Sequence, residues 1–176
     1  MTRLTGVFVA RLIAAASVGL CGAAPASHAA TVVNKYNDWT LYSNADAAGK
    51  ICFLASPPSA TDPAALTRDP ALFYISAWPK DGVKSEVSIK LGFPAKKAPD
   101  PVADVSGAVT ASFKLFVKDD RAYVADATQE LKLLEAMKKG SKLTVQATSE
   151  RGTTVTDTYS LTGITAAMQA LANGCP

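Results

Sequence analysis

From Asp38 onward, apolar and polar residues alternate with a period of two, broken at short intervals by turn residues, which is the pattern of strands with one face buried. Asp38 to Tyr42 and Ile51 to Leu54 read as the first two strands, joined through Asn44 to Gly49 as a hairpin. After Ser56-Pro57-Pro58, the stretch from Ser59 to Pro70 is rich in Pro, Asp and Thr and reads as an irregular surface loop. Leu72 to Trp78 and Val83 to Phe93 are stronger strands. Between them lies Pro79-Lys80-Asp81-Gly82, where proline fixes φ and glycine supplies a positive φ. Pro94 to Pro101 holds three of the ten prolines and should cross the surface without joining a sheet interior. Val102 to Val105, Ser112 to Val117 and Ala122 to Val124 follow as shorter strands.

The period then changes. Asp126 can cap a first helical turn with Gln129 in capping-box spacing, Leu131, Leu133, Leu134 and Met137 supply an apolar face, and Gly140 a stop. Ser141 to Ser149 and Thr153 to Leu161 form a strand pair around Glu150-Arg151-Gly152, the clearest hairpin in the chain. Ile164, Ala167, Met168 and Leu171 recur at i, i+3, i+4 and i+7, a second short helix ending at Asn173-Gly174. The expected fold is mainly β: an antiparallel β-sandwich or partly closed barrel, with two short amphipathic helices (about 126–139 and 163–173) covering an end or a face.

The first residues change the picture of where this fold works. Arg3 and Arg11, an apolar stretch from Leu12 to Gly22, and Ser27-His28-Ala29 form a leader of the kind cleaved on export, with cleavage after Ala29 or Ala30. The apolar run is too short to cross a bilayer as a helix, and bulky Leu20 before Cys21 argues against a lipoprotein. Residues 1–29 therefore form a signal peptide and residues 30–176 a single domain of about 150 residues, released to the periplasm or outside the cell. Removing two of the 18 basic residues and none of the 15 acidic ones lowers the formal charge from +3 to +1. With lysines no denser than Lys96-Lys97 and Lys138-Lys139, nucleic acid is not an expected partner. Cys21 leaves with the leader, so Cys52 and Cys175 remain and should pair in an oxidising compartment, two free thiols being the alternative.

Chemistry is limited by what the exported chain lacks. His28 is the only histidine and departs with the leader, so no Ser-His-Asp or Cys-His centre and no histidine-bearing zinc site can form. No catalytic residue, cofactor or metal is expected. Acid–base work would fall to carboxylates, with Glu86, Asp157, Glu150 and Asp104 as candidates, although carboxylates beside turns usually sit in solvent or cap amides. Trp39, Phe53, Phe73, Tyr74, Trp78 and Phe93 suit a core better than a ligand groove. Arg68, in Arg68-Asp69-Pro70, suits either a recognition loop or an internal salt bridge at the start of a strand. Arg68, Trp78 and Arg151 are the candidate partner-binding residues.

The wording of several segments resembles the invasion associated locus B family of exported bacterial proteins. The segments are Asp38-Trp39, Cys52, Arg68-Asp69-Pro70 with Phe73-Tyr74-Ile75, Glu86-Val87-Ser88 with Gly92-Phe93-Pro94, and Lys139-Gly140-Ser141. The most specific run is Ser149-Glu150-Arg151-Gly152-Thr153 leading to Asp157-Thr158-Tyr159-Ser160-Leu161-Thr162-Gly163, with Cys175 at the end. Where the family shows Ala-Trp, this chain has Ala122-Tyr123, which keeps an amphipathic aromatic. The resemblance implies a periplasmic, surface or secreted protein, linked in some pathogens to host-cell invasion, and carries over no catalytic residue or cofactor. The expected function is thus an exported noncatalytic binding or accessory protein of the envelope, with an unidentified protein or envelope component as partner. A carboxylate-dependent envelope hydrolase using Glu86 and Asp157 is the alternative, and an envelope-stress or structural protein a third reading.

Overall fold

The computed structural model describes residues 30–46 and 49–174; the leader with Cys21 and His28, the centre of the first hairpin turn, and Cys175 lie outside them. The strands are β1 (Thr31–Tyr36), β2 (Trp39–Asp46), β3 (Gly49–Ser56), β4 (Ala60–Asp62), β5 (Leu72–Trp78), β6 (Val83–Lys90), β7 (Val102–Gly107), β8 (Ala111–Lys118), β9 (Arg121–Val124), β10 (Gly140–Thr148) and β11 (Thr154–Ser160). The helices are α1 (Ala127–Lys139) and α2 (Ile164–Gly174). The strands join in one open antiparallel sheet ordered β1-β2-β3-β5-β6-β9-β8-β7-β10-β11-β4. The mainly β expectation holds.

The sheet curls until its distant strands meet. The indole N–H of Trp39 in β2 donates to the carbonyl of Ser160 in β11 at 3.0 Å. Phe73 of β5 stands edge-on to both Trp39 and Tyr159, with ring centroids 5.7 and 5.5 Å away. Around these rings the inward residues of the strands, among them Leu54, Ile75, Ile89, Leu143 and Val145, form one buried core. Removing a large side chain from such a core costs about 3–5 kcal/mol, because the cavity only partly collapses.

Four local expectations need correction. The stretch from Ser59 to Pro70 is not wholly irregular, since β4 pairs Thr61 with Asp157 at the sheet edge. β1 precedes the first expected strand. Its Val32 and Val33 are 58 % and 55 % exposed, so neither shows the inward–outward alternation that reveals a half-buried strand. The strand expected over Val83 to Phe93 stops at Lys90, after which Gly92 turns the chain at φ +77°. In α1 the buried residues are Leu133, Leu134 and Met137, while Leu131 is 61 % exposed.

Glu130 explains the last of these. Positions 130, 133, 134 and 137 share one helical face, and Glu130 uses its place there to accept from Val87 N–H at 2.9 Å and Ser85 Oγ at 3.0 Å. β9 pairs with β6 only over Ser88 to Lys90, so this carboxylate satisfies an amide that the neighbouring strand does not reach. Asp126 caps α1 as expected, accepting from Gln129 N–H at 2.9 Å. Gly140 ends the helix for a different reason from the one anticipated: its φ is −82°, and a Cβ there would lie 2.5 Å from Val105 Cγ1. Among the described residues no helix is long and apolar enough to cross a membrane.

Candidate functional site

Arg68 lies in the segment between β4 and β5, placed there by a close backbone approach. Asp69 N–H donates to the Gly92 carbonyl at 3.2 Å, and a Cβ on Gly92 would meet the Asp69 carbonyl oxygen at 2.1 Å. From this position the guanidinium forms a fork with Asp157 of β11, Nη1 reaching Oδ2 at 2.8 Å and Nη2 reaching Oδ1. It also donates to the Leu91 carbonyl at 2.6 Å and to Thr61 Oγ1 at 3.1 Å, while Thr61 Oγ1 donates to Asp157 at 2.7 Å. The two side chains are only 9 % and 2 % exposed. Both terminal nitrogens of Arg68 are therefore engaged inside the protein, which is the internal salt bridge that the sequence offered as one of its two readings. Asp157, a candidate acid or base, is the counterion of that bridge. Tyr159 lies two residues further along β11, and its buried hydroxyl has no hydrogen-bond partner among the described residues. Burial, followed by the Asp157 charge, pushes this phenol far above its ordinary range.

Arg151, at the β10–β11 turn, is exposed, and with Arg68, Phe93 and Glu150 it borders an open cleft of about 470 Å³. Trp78 does not join them. It stands at the end of β5 beside a different cleft of about 360 Å³ on the solvent side of β3, β5, β6 and β9, lined by Phe53, Tyr74, Glu86, Arg121 and Tyr123 among others. The three candidate partner-binding residues thus fall in two places.

The second cleft belongs to a broad aromatic face. Tyr42 stacks on Phe53 at 5.1 Å, Phe53 lies 5.9 Å from Tyr74, and Phe116 stacks on Tyr123 at 5.6 Å. The Arg121 guanidinium sits 5.3 Å from the Tyr74 ring centroid. Of the aromatics expected in the core, Trp39 and Phe73 are there. Phe53, Tyr74 and Trp78 are half-buried on the outer face, and Phe93 lies beneath Arg68. Sequence reasoning missed Tyr42, Phe116, Arg121 and Tyr123. Strand phase holds the signal that would have found Phe116: Phe113, Leu115 and Val117 point inward, which turns Phe116 out, 45 % exposed.

Charge on this face is uneven. The Glu86 carboxyl is held above the usual carboxylate value, chiefly by burial and then by Glu130, with Arg121 opposing. The Tyr74 hydroxyl is likewise raised, burial being the main cause. Glu86 and Asp157 occupy different environments, one on the aromatic face and one in the Arg68 network. Asp104 is exposed on β7 and Glu150 at a turn, so the four candidate carboxylates do not gather. Among the described residues no group of three His, Cys, Asp or Glu side chains stands ready for a metal. Cys52 is buried in β3, its Sγ 3.8 Å from the carbonyl of Gly174, the residue before Cys175.

A search of curated proteins finds no match. Among solved structures, the crystal structure of invasion associated protein B from Bartonella henselae shares this fold. The TM-score is 0.54 at 17 % identity, and the match covers 80 % of this chain and 95 % of that one. The family model described as invasion associated locus B (IalB) protein matches residues 39–172, from the start of β2 almost to the end of α2, and the chain belongs to that family.

Proposed function

We propose that this protein is exported, that a Cys52–Cys175 bridge closes it, and that it acts without catalysis as a binding or accessory protein of the bacterial envelope. The observation that carries this reading is the aromatic face. Tyr42, Phe53, Tyr74, Tyr123 and Phe116 line the solvent side of a sheet whose core is complete without them. Contiguous apolar surface of this kind marks interaction sites more often than chance exposure does. The leader supports export, and the approach of Cys52 Sγ to Gly174 supports the bridge. The hydrolase reading needs Glu86 and Asp157 to act on one bond, and the Arg68 fork already engages Asp157.

Two measurements test this. Fractionation with N-terminal sequencing is expected to find the protein outside the cytoplasm, beginning at Ala30 or Thr31. Purified protein is expected to be retained on an isolated envelope fraction, and a Tyr74→Ser, Tyr123→Ser variant to be released while it still unfolds cooperatively above the assay temperature. Equal retention of that variant, or steady turnover of an envelope polymer abolished by Glu86→Gln, would overturn the reading.

A further inference from the structure

Residues directly opposite one another in an antiparallel sheet share a face, and the register places two rows side by side across β5, β6, β9 and β8. One row runs Tyr74, Ser88, Tyr123, Phe116, each the partner of the next. The other runs Leu72, Lys90, Arg121, Lys118. Adjacent rows on one strand lie about 7 Å apart, the rise of two residues. Three cations standing opposite one another is an unfavourable arrangement, because like charges in direct cross-strand pairs destabilise a sheet. Among the described residues neither Lys90 nor Lys118 forms an ion pair. Glu86 pairs with Ser76 one row beyond the rings and feels Arg121, whose guanidinium leans over Tyr74, and Asp119 and Asp120 form the turn between Lys118 and Arg121, which leaves Lys90 and Lys118 as the cations of this face without a carboxylate across the strands.

Resting on the binding reading above, we infer that this face takes an anionic saccharide, its sugar rings on Tyr74 and Tyr123 and its carboxylate or sulfate groups along Lys90, Arg121 and Lys118. The chemistry of each row suits one part of such a ligand. Rings held in place by their neighbours, Phe116 stacked on Tyr123 and Phe53 and Arg121 beside Tyr74, offer their solvent-side surface to the C–H face of a pyranose without ordering a loop. Ser76, Ser88 and Glu86 line the same cleft and offer hydroxyl and carboxylate oxygens to the sugar hydroxyls. Carboxylate or sulfate groups set along Lys90 and Lys118 offset the repulsion between these cations and Arg121. A single-stranded nucleic acid also combines rings with negative charge, but its regularly spaced phosphates would meet the Glu86 carboxylate, whereas a saccharide carries hydroxyls for that oxygen to accept from.

Calorimetric titration of the purified protein tests this with four probes: a heparin octasaccharide, a hyaluronan octasaccharide, neutral maltohexaose and oligouridylate. At least one anionic saccharide is expected to bind ten-fold or more tightly than maltohexaose, with affinity falling as salt rises. Lys90→Gln with Lys118→Gln should erase that ten-fold preference with no fall in melting temperature, and Tyr74→Ser with Tyr123→Ser should abolish saccharide binding in a protein that still unfolds cooperatively. Tighter binding of oligouridylate, or an anionic preference untouched by the lysine substitutions, would overturn the assignment. If no saccharide binds while the tyrosine variant still loses envelope retention, the assignment falls and the binding reading stands.

Discussion

Truncating Arg68 strands a carboxylate that is 2 % exposed, and breaking a buried ion pair by removing one partner costs far more than the pair itself contributes. Arg68→Ala is expected to lose about 3–5 kcal/mol in chemical denaturation, and Asp157→Asn in the same background to recover part of it. A double-variant loss equal to the sum of the singles would mean the two groups are not coupled. Tyr159 predicts the opposite sign: its buried hydroxyl has no partner among the described residues, so Tyr159→Phe removes a desolvated donor and should leave the melting temperature unchanged or raised. A loss above about 1 kcal/mol would reveal a hydrogen bond on that oxygen. Glu86 predicts a pH effect. Its folded carboxyl is raised above 4.5, so the native state holds the proton to a higher pH than the unfolded chain, and stability falls as pH climbs from that value through the raised one. Glu86→Gln should flatten urea midpoints across this acidic interval, and an unaltered slope would assign the effect elsewhere. Of these residues, Arg68 was visible in the sequence as a salt-bridge candidate, but its partner was not. Asp157 lies 89 positions away, and only the β4–β11 and β10–β11 registers bring it close.

Elements with one buried face were legible, and elements at the sheet edges were not. β5, β8, β10 and β11 alternate inward and outward residues, which a period of two reports directly. β4 covers no core and β1 touches it only through Tyr36 at its end, so little in their side chains marks them, and backbone pairing to β2 and β11 makes them strands. The same logic explains α1. A helical period picks out apolar positions, but Glu130 occupies the inner face because β6 has an amide there that no strand satisfies. Glu130→Ala should therefore loosen the contact between α1 and β6, with faster amide exchange at Val87 as the readout. Asp126→Ala removes only a cap and is expected to cost about 1 kcal/mol, with faster exchange confined to the first turn of α1. If the Glu130 variant leaves Val87 protected, the carboxylate is not what holds that edge. The aromatic face escaped notice for a related reason. Its rings alternate with core residues on the same strands, and composition alone cannot tell which phase points out.

At the scale of the whole molecule, the open sheet has a fastening problem. β1 and β4 end it without closing, and α2 lies across β1, β2 and β3 with its last turn over β3. There Lys50 Nζ donates to the Gly174 carbonyl at 3.1 Å, and Cys52 Sγ lies beside the same oxygen. A Cys52–Cys175 bridge would close a loop of roughly 120 residues and, by the chain-entropy argument, stabilise the native state by about 4–5 kcal/mol. Reduction, or Cys52→Ser with Cys175→Ser, should lower the unfolding free energy by that amount, and exchange should quicken first in α2 and β3. The consequence reaches the outer face, because Cys52 alternates on β3 with Ile51 and Phe53, which line the aromatic cleft. A loosened β3 takes the Phe53 support from Tyr42 and Tyr74. The reduced protein is therefore expected to lose envelope retention at temperatures where most of it is still folded. If reduction moves neither the unfolding midpoint nor retention, the two sulfurs are not joined and α2 is held by packing and by hydrogen bonds such as that from Lys50.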